Sequence, residues 1–418
     1  MRAERSLVFA GFWPVFKGEG GPTGIEGIHE GRMESYRIGV IYGGISEQKA
    51  GMDHYLHQVL AAMKRLAPQH RFVLIDHRRH PIPFRDRFET TIIDLPRPPA
   101  RVSRWNLFEV PKILSAFDLV FSPGLYGPVR IPPNTASVMV VHDLTRYLFP
   151  GFFAFNPMQK VLDLLAYPAM VRRYDHILAV SQATKEDLIA RFRQPEDKIT
   201  VVHHGADETF RPLDPAEAAS KLKGSYGIHR PFLLFLGTLE PRKNIPTLLK
   251  AFAALTDRIE EDLILVGQKG WKWEPIFQEM ERPKVKDRVR WIGYVPDEDR
   301  VYFYNAARML VYPSWYEGFG MPLLEAMQCG CPVVTSKVSA LPEVAGSAAL
   351  YVDPARIETV EEAILRVLKE QGLAERMKED GLKQAKRFSW ERSAGITLTV
   401  FEQVMGKKHK QKTGKVRS

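Results

Sequence analysis

Cysteine is scarce in this chain. Its 418 residues include only Cys329 and Cys331, and a single glycine separates them. Two thiols cannot complete a structural zinc site, and a chain of this length buries enough apolar surface to fold without disulfides. The scarcity excludes a small disulfide-stabilised scaffold. We expect both thiols to be reduced and buried, as in a cytoplasmic protein.

The chain also has no long apolar run. A transmembrane helix needs roughly 18–20 consecutive apolar residues, and the sequence contains no such segment. The apolar stretch at Leu7–Phe16 is interrupted by Pro14, and no small-residue cleavage site follows it. We therefore expect residues 1–34 to be a disordered extension ahead of the fold.

Acidic residues are fewer than basic ones, and the net charge is +10. Nucleic acid, an anionic membrane face or a phosphorylated substrate would each suit this excess. Residues 406–418 are rich in lysine and almost free of apolar side chains, so we expect a disordered basic tail. The alternative is contact of this tail with anionic lipid at the inner face of the plasma membrane.

A second basic segment lies at residues 77–105, where arginines mix with prolines and aromatic residues. This composition suits an interface with lipid, nucleic acid or an anionic acceptor, and it equally suits a solvated loop. Because no recognised nucleic-acid-binding motif occurs, we expect no nucleic-acid partner.

Short β-rich segments alternate with amphipathic helical patterns from Tyr36 onward. The alternation runs through residues 36–203 and begins again at residues 232–335. It predicts the α/β class with parallel sheets covered by helices, here in two Rossmann-like doubly wound lobes that face a cleft. The predicted parts are the first lobe (35–210), a linker (211–230), the second lobe (231–389) and a C-terminal helix (390–405).

The most informative segment joins a predicted strand to a predicted helix at residues 312–330. Glu317–Gly320 is a loop whose two glycines allow the backbone to approach a ligand closely. The helix that follows presents free N–H groups and a dipole that favour phosphate oxygens. Glu325 lies in about the first turn of that helix, where its carboxylate suits the hydroxyls of a sugar or a ribose. The alternative is that Glu325 only complements the helix dipole.

A second strand-to-helix junction lies at residues 236–245. Arg242 and Lys243 precede Asn244, which we predict to be the N-cap of the next helix. Two cations at the mouth of a parallel sheet suit a diphosphate, because arginine binds it bidentately and lysine acts as a compact charge. A solvated basic pair without such a role is the alternative.

Three further positions carry weaker signals. His142 follows a predicted strand and suits a sugar hydroxyl or a phosphate, although a single histidine is more often structural. Gly51 belongs to a glycine-rich loop that lacks the Gly-x-Gly-x-x-Gly spacing of a dinucleotide fold. Asp297-Glu-Asp299 matches an acidic metal-binding pattern, but acidic residues are ordinary at the start of a helix, and we expect no metal there.

Taken together, these motifs resemble the retaining glycosyltransferases of family 4, which have the GT-B fold of two Rossmann-like lobes. The resemblance covers about residues 51–354 and is strongest in the second half. The family's E-x7-E signature falls on Glu317 and Glu325. The segments at 237–244 and 293–296, with the Gly270-Trp271 pair, look most like bacterial mannosyltransferases of polysaccharide assembly.

The resemblance implies a hexosyltransferase that moves a sugar, with GDP-mannose as the preferred donor, onto a saccharide or lipid-linked acceptor. It implies retention of configuration, no metal ion and no cofactor, because the nucleotide sugar is a co-substrate. The residues implied in the chemistry are Arg242 and Lys243 for the diphosphate, Glu317 for the donor sugar, and His142 from the first lobe. The donor contacts implied are Gly51, Gly237, Glu317, Gly318, Phe319, Gly320, Met321 and, for the ribose, Glu325.

Other functions fit parts of the pattern. A transferase that uses a UDP-sugar would share every motif named above. A nucleotide-sugar isomerase of the same two-lobed architecture would act without an acceptor, and a phosphorylase would need pyridoxal phosphate on a lysine. These motifs do not distinguish oligomeric states.

Overall fold

The structure is a computed structural model that describes residues 35–42, 51–76, 88–92, 108–125, 127–128, 130–153, 165 and 167–416. Within these residues the chain forms two parallel β-sheets flanked by helices, which confirms the predicted α/β class and the two Rossmann-like lobes. The first sheet consists of β1 (Arg37–Ile41), β2 (Arg71–Asp76), β3 (Glu89–Ile92), β4 (Leu119–Ser122), β5 (Ala136–Val141), β6 (His176–Ala179) and β7 (Ile199–Val201). The second consists of β8 (Phe232–Leu236), β9 (Asp262–Val266), β10 (Val289–Gly293), β11 (Met309–Tyr312), β12 (Val333–Ser336) and β13 (Ala349–Val352).

Both sheets reverse their strand order near the middle. The order is β3-β2-β1-β4-β5-β6-β7 in the first sheet and β10-β9-β8-β11-β12-β13 in the second. The reversals lie between β1 and β4 and between β8 and β11. In doubly wound sheets the loops after such neighbouring strands diverge to opposite faces and leave a crevice that binds ligands.

The central strands are mostly apolar because helices cover both faces of each sheet. In β5, Val138 and Val140 face one hydrophobic cluster, whereas Met139 and Val141 face another. This is the alternation that a strand imposes on its side chains. Strand β8 is buried along its whole length, as expected for the centre of a parallel sheet.

The helices follow the strands in the expected alternation. Those of the first lobe are α1 (Gly51–Leu66), α2 (Thr145–Leu148) and α3 (Gln182–Phe192), with a further helical segment at 167–173. Those that follow are α4 (Pro215–Tyr226), α5 (Ile245–Leu255), α6 (Glu274–Met280), α7 (Asp297–Ala306), α8 (Met321–Gln328), α9 (Leu341–Ala345), α10 (Ile357–Lys369), α11 (Leu373–Ala385) and α12 (Trp390–Val416).

The segment predicted as a linker, 211–230, is mostly helix α4 and packs onto the second lobe. Asp214 caps the start of α4 with its side chain, and Gly227 ends the helix in the left-handed conformation, at φ +61°. Tyr226 donates a 2.5 Å hydrogen bond to Asp299 of α7. The linker was predicted to contain one short helix, which α4 matches, but the packing of this helix onto the second lobe was not predicted.

The C-terminal helix is longer than predicted. Helix α12 runs continuously to Val416, so the prediction of a helix at 390–405 followed by a disordered tail at 406–418 is wrong as far as residue 416. Lysine and glutamine favour helix, and extending a helix that is already packed avoids the cost of nucleation. Residues 417–418 lie outside the described residues.

Helix α12 returns to the first lobe and packs along α1. The ring of Phe401 lies 5.3 Å from that of Phe121 on β4, centroid to centroid. Near the end of the helix, the Lys408 ammonium lies 3.0 Å from Oδ1 of Asp175. The last helix therefore belongs to the core of the first lobe although its sequence follows the second.

Both cysteines are buried and unpaired, as predicted, and burial raises the pKa of each thiol. No helix in the described part of the chain has the length and apolar character needed to cross a bilayer. The predicted extension at 1–34 lies outside the described residues. So does the basic segment 77–105, apart from residues 88–92.

Candidate active site

The loops after β8 and β11 meet at the switch point of the second sheet. These strands are hydrogen-bonded neighbours although the chain forms β9 and β10 between them. The first loop carries Arg242 and Lys243, and the second carries Glu317. The topology therefore brings together three side chains that the sequence analysis selected from two separate motifs.

The Glu317 carboxylate binds both cations. Its Oε1 accepts a 2.7 Å hydrogen bond from Nζ of Lys243, and its Oε2 accepts a 2.6 Å bond from Nη1 of Arg242. Arg242 also donates from Nη2 to Glu240 at 2.7 Å, and Lys243 donates to the hydroxyl of Tyr312. The guanidinium and the ammonium are held in fixed positions at the carboxyl end of the sheet.

The cluster is buried, and its charges balance. Burial acts to raise the pKa of Glu317, but Arg242 and Lys243 outweigh it and hold the pKa below its ordinary value. Burial, followed by the neighbouring Arg242, lowers the pKa of Lys243. Because Glu240 and Glu317 offset the two cations, an incoming diphosphate has to share their N–H donors with carboxylates. These carboxylate partners of Arg242 and Lys243 were not anticipated from the sequence.

The loop glycines serve the packing of the backbone. A Cβ atom at Gly318 would lie 1.8 Å from the carbonyl oxygen of His142, so only glycine fits where this loop meets the end of β5. Gly320 precedes α8 with φ at +109°. Between them, Phe319 packs edge-on against the His204 ring at 4.9 Å. Position 318 therefore requires glycine because the two lobes are in contact there, and the sequence alone did not reveal this contact.

Glu325 lies in the second turn of α8, which begins at Met321. Its Oε2 accepts a 2.8 Å hydrogen bond from the Tyr304 hydroxyl, and Nη1 of Arg300 lies 3.5 Å from the same oxygen. Burial raises the pKa of Glu325, and Arg300 and Tyr304 oppose this shift without reversing it. Glu325 therefore has partners of its own, Tyr304 and Arg300, and its contact with a ribose stays a prediction.

His142 follows β5, and the main chain fixes its ring. Nε2 lies 2.7 Å from the Pro123 carbonyl oxygen. Because a carbonyl only accepts, Nε2 carries the proton of the neutral ring. Burial lowers the pKa of His142, against the opposing effects of Pro123 and Asp143. Nδ1 is then a hydrogen-bond acceptor, which suits a hydroxyl group rather than the phosphate that the sequence analysis also allowed.

The remaining predicted positions have simpler surroundings. Gly237 directly follows β8, and Gly51 is the first residue of α1. Asn244 occupies the N-cap position of α5 as predicted, but it does not cap with its side chain, which donates from Nδ2 to the Pro354 carbonyl at 2.7 Å. The reason is its left-handed backbone, with φ at +55°.

The acidic pattern Asp297-Glu-Asp299 opens α7, and its carboxylates have protein partners. Asp297 lies 3.1 Å from Arg300, and Asp299 accepts the hydrogen bond from Tyr226 described above. Within the described ranges, no group of three or more His, Cys, Asp or Glu side chains is arranged to hold a metal ion.

Three contacts between the lobes, beside the Glu317 loop, were not anticipated. The two oxygens of Glu343 on α9 lie 2.9 and 2.8 Å from the main-chain nitrogen of Gln182 at the start of α3. Nε2 of His203 lies 2.5 Å from the same carboxylate. The Tyr316 hydroxyl donates a 2.8 Å bond to Asp187 of α3. Each pair joins residues far apart in sequence, so no local pattern could have indicated it.

A cavity of about 370 Å³ lies between the lobes beside this cluster. His142, Asp143 and Arg242 provide polar groups in its lining. Much of the remaining wall is aromatic: Tyr147, Phe153, Tyr167, Phe192 and Trp271. A cleft of this size, mostly apolar with a few convergent polar groups, is typical of a small-molecule site.

Solved structures share this two-lobed architecture. Sucrose-phosphate synthase from Thermosynechococcus elongatus has a TM-score of 0.71 at 20% identity, over 89% of this chain and 99% of that one. HepE from Anabaena, solved in complex with UDP and glucose, has a TM-score of 0.70 at 18% identity, over 88% and 99%. The fold is that of the GT-B glycosyltransferases.

Sequence comparisons define the family. The description "Glycosyltransferase Family 4" matches residues 50–210, and "Glycosyl transferases group 1" matches residues 221–384. O-antigen chain mannosyltransferase B from Escherichia coli is 37% identical over 285 residues, which cover 67% of this chain and 73% of that protein. The chain belongs to glycosyltransferase family 4 and is a hexosyltransferase, as the resemblance implied.

Proposed function

We propose that this enzyme transfers mannose from GDP-mannose to a saccharide or lipid-linked acceptor, with retention of configuration and without a metal ion. The choice of mannose is supported by the 37% identical relative, which is named as a mannosyltransferase. The observation that carries the chemistry is the buried cluster of Arg242, Lys243 and Glu317 at the switch point of the second sheet. HepE, which shares the fold, was solved with a nucleotide and a sugar.

The leaving group sets the electrostatic requirement. As the glycosidic bond breaks, negative charge grows on the departing nucleoside diphosphate. Arg242 and Lys243 donate to these oxygens, with the N-terminus of α8 adding its dipole. Fixed donors of this kind contribute about 3–4 kcal/mol each to a transition state. Glu317 holds the two cations in place, so little reorganisation accompanies the reaction.

The first lobe supplies contacts to the sugar. His142 accepts a hydrogen bond from a donor-sugar hydroxyl through Nδ1, because Nε2 is engaged with Pro123. Glu317 accepts a hydrogen bond from another hydroxyl while it keeps both cations, because each carboxylate oxygen has a second lone pair beside the one that binds its cation. The acceptor hydroxyl attacks from the face that the diphosphate leaves, and the leaving phosphate oxygen takes its proton. This front-face course retains the configuration at the anomeric carbon.

Nucleotide selectivity tests the donor assignment. Thermal unfolding is measured with GDP, UDP and ADP and with their hexose conjugates, since a ligand at 100 times its Kd adds about 2.7 kcal/mol of stability. We expect GDP and GDP-mannose to raise the Tm most. A larger rise in Tm with UDP-sugars would mean that the donor is a UDP-sugar and not GDP-mannose. Release of an altered free sugar without any acceptor would indicate the isomerase alternative.

A further inference from the structure

Trp271 is an exposed aromatic side chain in the wall of the cavity between the lobes. Its exposed fraction is 36%, whereas most other large apolar residues in the described part of the chain are buried. It lies in the loop between β9 and α6 of the second lobe. Its ring stacks on that of Phe153 from the first lobe, with centroids 4.9 Å apart and planes inclined by 22°. The two rings form one continuous aromatic surface at the boundary between the lobes.

Neighbouring contacts hold the loop of Trp271 in a defined position. On one side, Lys272 donates a 2.7 Å hydrogen bond to the Gly151 carbonyl of the first lobe. On the other, the Lys269 ammonium lies over three aromatic rings of the second lobe. The distances to the ring centroids are 3.9 Å for Trp273, 4.2 Å for Phe277 and 4.8 Å for Trp291. Cation–π contacts of this kind fix the loop, so Trp271 is presented as a preorganised platform.

The surroundings of Trp271 suit a pyranose ring. One face of a pyranose exposes C–H groups, which pack on aromatic rings, while its hydroxyls point to the rim. Besides His142, which is assigned to the donor sugar, Asp143 and Arg146 supply polar groups in the same cavity, and Tyr147 and Tyr167 line it further. Much of the cavity lining belongs to the first lobe. Arg242, which belongs to the second lobe, is assigned to the donor diphosphate, so the first-lobe part of the cavity is left for the acceptor.

We propose that Trp271, stacked on Phe153, is the platform on which a pyranose ring of the acceptor saccharide binds, and that it determines acceptor affinity rather than donor affinity. This inference rests on the proposed transferase function. Because the platform needs a ring from each lobe, it is complete only when the lobes are in contact. The acceptor sugar is then held against the first-lobe side of the donor sugar.

The test measures sugar binding directly. Saturation-transfer NMR follows a panel of methyl pyranosides, which includes methyl α-D-mannopyranoside, on the full-length enzyme saturated with GDP. The variants are Trp271→Ala, Trp271→Phe and a control, Phe108→Ala, which removes an exposed aromatic ring that does not line the cavity. Titration of GDP-mannose into the same variants, without an acceptor, reports binding of the whole donor, and thermal unfolding reports whether each variant folds.

We expect Trp271→Ala to weaken binding of the preferred glycoside about tenfold, since the loss of one aromatic stacking contact corresponds to about one decade in affinity. Trp271→Phe and Phe108→Ala should stay within threefold of the wild type, and the affinity for GDP-mannose should be unchanged in all variants. Unaltered glycoside binding by Trp271→Ala would overturn the proposal, and so would failure of every glycoside to bind the wild-type enzyme. An equal loss of GDP-mannose affinity would assign the platform to the donor sugar and overturn the proposal.

Octyl glycosides distinguish a sugar platform from a lipid platform. If Trp271→Ala loses only the gain of an octyl over a methyl glycoside, the ring contacts an alkyl chain and the proposal is overturned. Failure of the donor assignment has a different signature. If GDP does not bind but UDP does, the same titrations are repeated with UDP, and the effect of Trp271→Ala on glycoside binding still decides the platform.

Discussion

The Glu343 carboxylate of the second lobe accepts the main-chain N–H of Gln182, at the start of a first-lobe helix, with its oxygens at 2.9 and 2.8 Å. A negative charge at this position satisfies an N–H group and complements the helix dipole. The contact lies close to the Glu317 loop, since Thr184 of the same helix donates a 3.4 Å bond to the Gly318 carbonyl. Lobe closure and the geometry of the candidate site are therefore linked.

The first prediction concerns Glu343→Gln, which keeps the size of the side chain and removes its charge. The amide still accepts the Gln182 N–H, but hydrogen bonds to charged groups contribute about 1.5–3 kcal/mol and neutral ones about 0.5–1.5 kcal/mol. The population of the closed arrangement should therefore fall about five- to tenfold. We expect a larger radius of gyration by X-ray scattering and a raised KM for the acceptor. Glu358→Gln, at an exposed ion pair with Arg356, is the control. An unchanged radius of gyration would show that Glu343 does not hold the two lobes closed.

The second prediction concerns Lys243→Ala. Since Lys243 binds most strongly to the diphosphate as its charge grows, kcat should fall about 100- to 1,000-fold while KM for the donor changes much less. The variant also removes one partner of the buried Glu317, so its Tm must be compared with that of Lys250→Ala, a half-exposed lysine outside the site. A folded Lys243→Ala enzyme with wild-type kcat would remove Lys243 from the chemistry.

The third prediction uses the raised pKa of Glu325, which burial causes. When the pKa of a carboxyl is higher in the folded state than in the unfolded state, its contribution to the free energy of unfolding is complete below the unfolded pKa. That contribution is lost as pH rises through the folded pKa. Glu325→Gln should therefore be at least as stable as the wild type at neutral pH. Its stability relative to the wild type should decline as pH falls through the raised folded pKa of Glu325 towards about 4.5, the ordinary value for glutamate, and should stay constant below that pH.

The same variant should bind nucleotide poorly, because an amide is a weaker acceptor for ribose hydroxyls than a carboxylate. Thermal unfolding from pH 4 to pH 8 and titration of GDP measure the two effects separately. A strongly destabilised Glu325→Gln at neutral pH would mean that the ion pair with Arg300 dominates over burial. Undiminished GDP affinity would remove Glu325 from the ribose site.

The fourth prediction separates front-face attack from a double displacement. Asp143 is the one carboxylate in the described lining of the cavity, and its Oδ1 already accepts the Thr145 N–H at 2.8 Å. Asp143→Asn keeps this acceptor, so kcat should stay within about tenfold of the wild type if no covalent sugar forms on the protein. A loss above a thousandfold that added azide partly restores would contradict the front-face course.

The sequence predicted the sheets well where the local signal is strong. The sequence predicts strands at Phe232–Leu236 and Met309–Tyr312, because each is a short apolar run with turn residues beside it, and these are the observed bounds of β8 and β11. Strand β13 was missed. It is only four residues long and follows a small-residue segment at 345–349, where apolar periodicity cannot distinguish strand from loop.

The candidate site was predictable in its residues but not in its pairings. Arg242, Lys243 and Glu317 were found because each follows a strand end. That Glu317 neutralises both cations depends on β8 and β11 being adjacent, which is a property of topology. The requirement for Gly318 and the link from Glu343 to Gln182 both arise between the lobes, and no local motif encodes contacts between segments more than a hundred residues apart.

The central claim is that fixed side chains and main-chain groups, rather than a metal ion, stabilise the departing diphosphate. The most direct measurement is the rate of transfer from GDP-mannose by enzyme that has been treated with EDTA and then supplied with Mn²⁺ or Mg²⁺. The account predicts that kcat is the same before chelation, after it and after metal is restored. Loss of turnover in EDTA that returns with Mn²⁺ would contradict it.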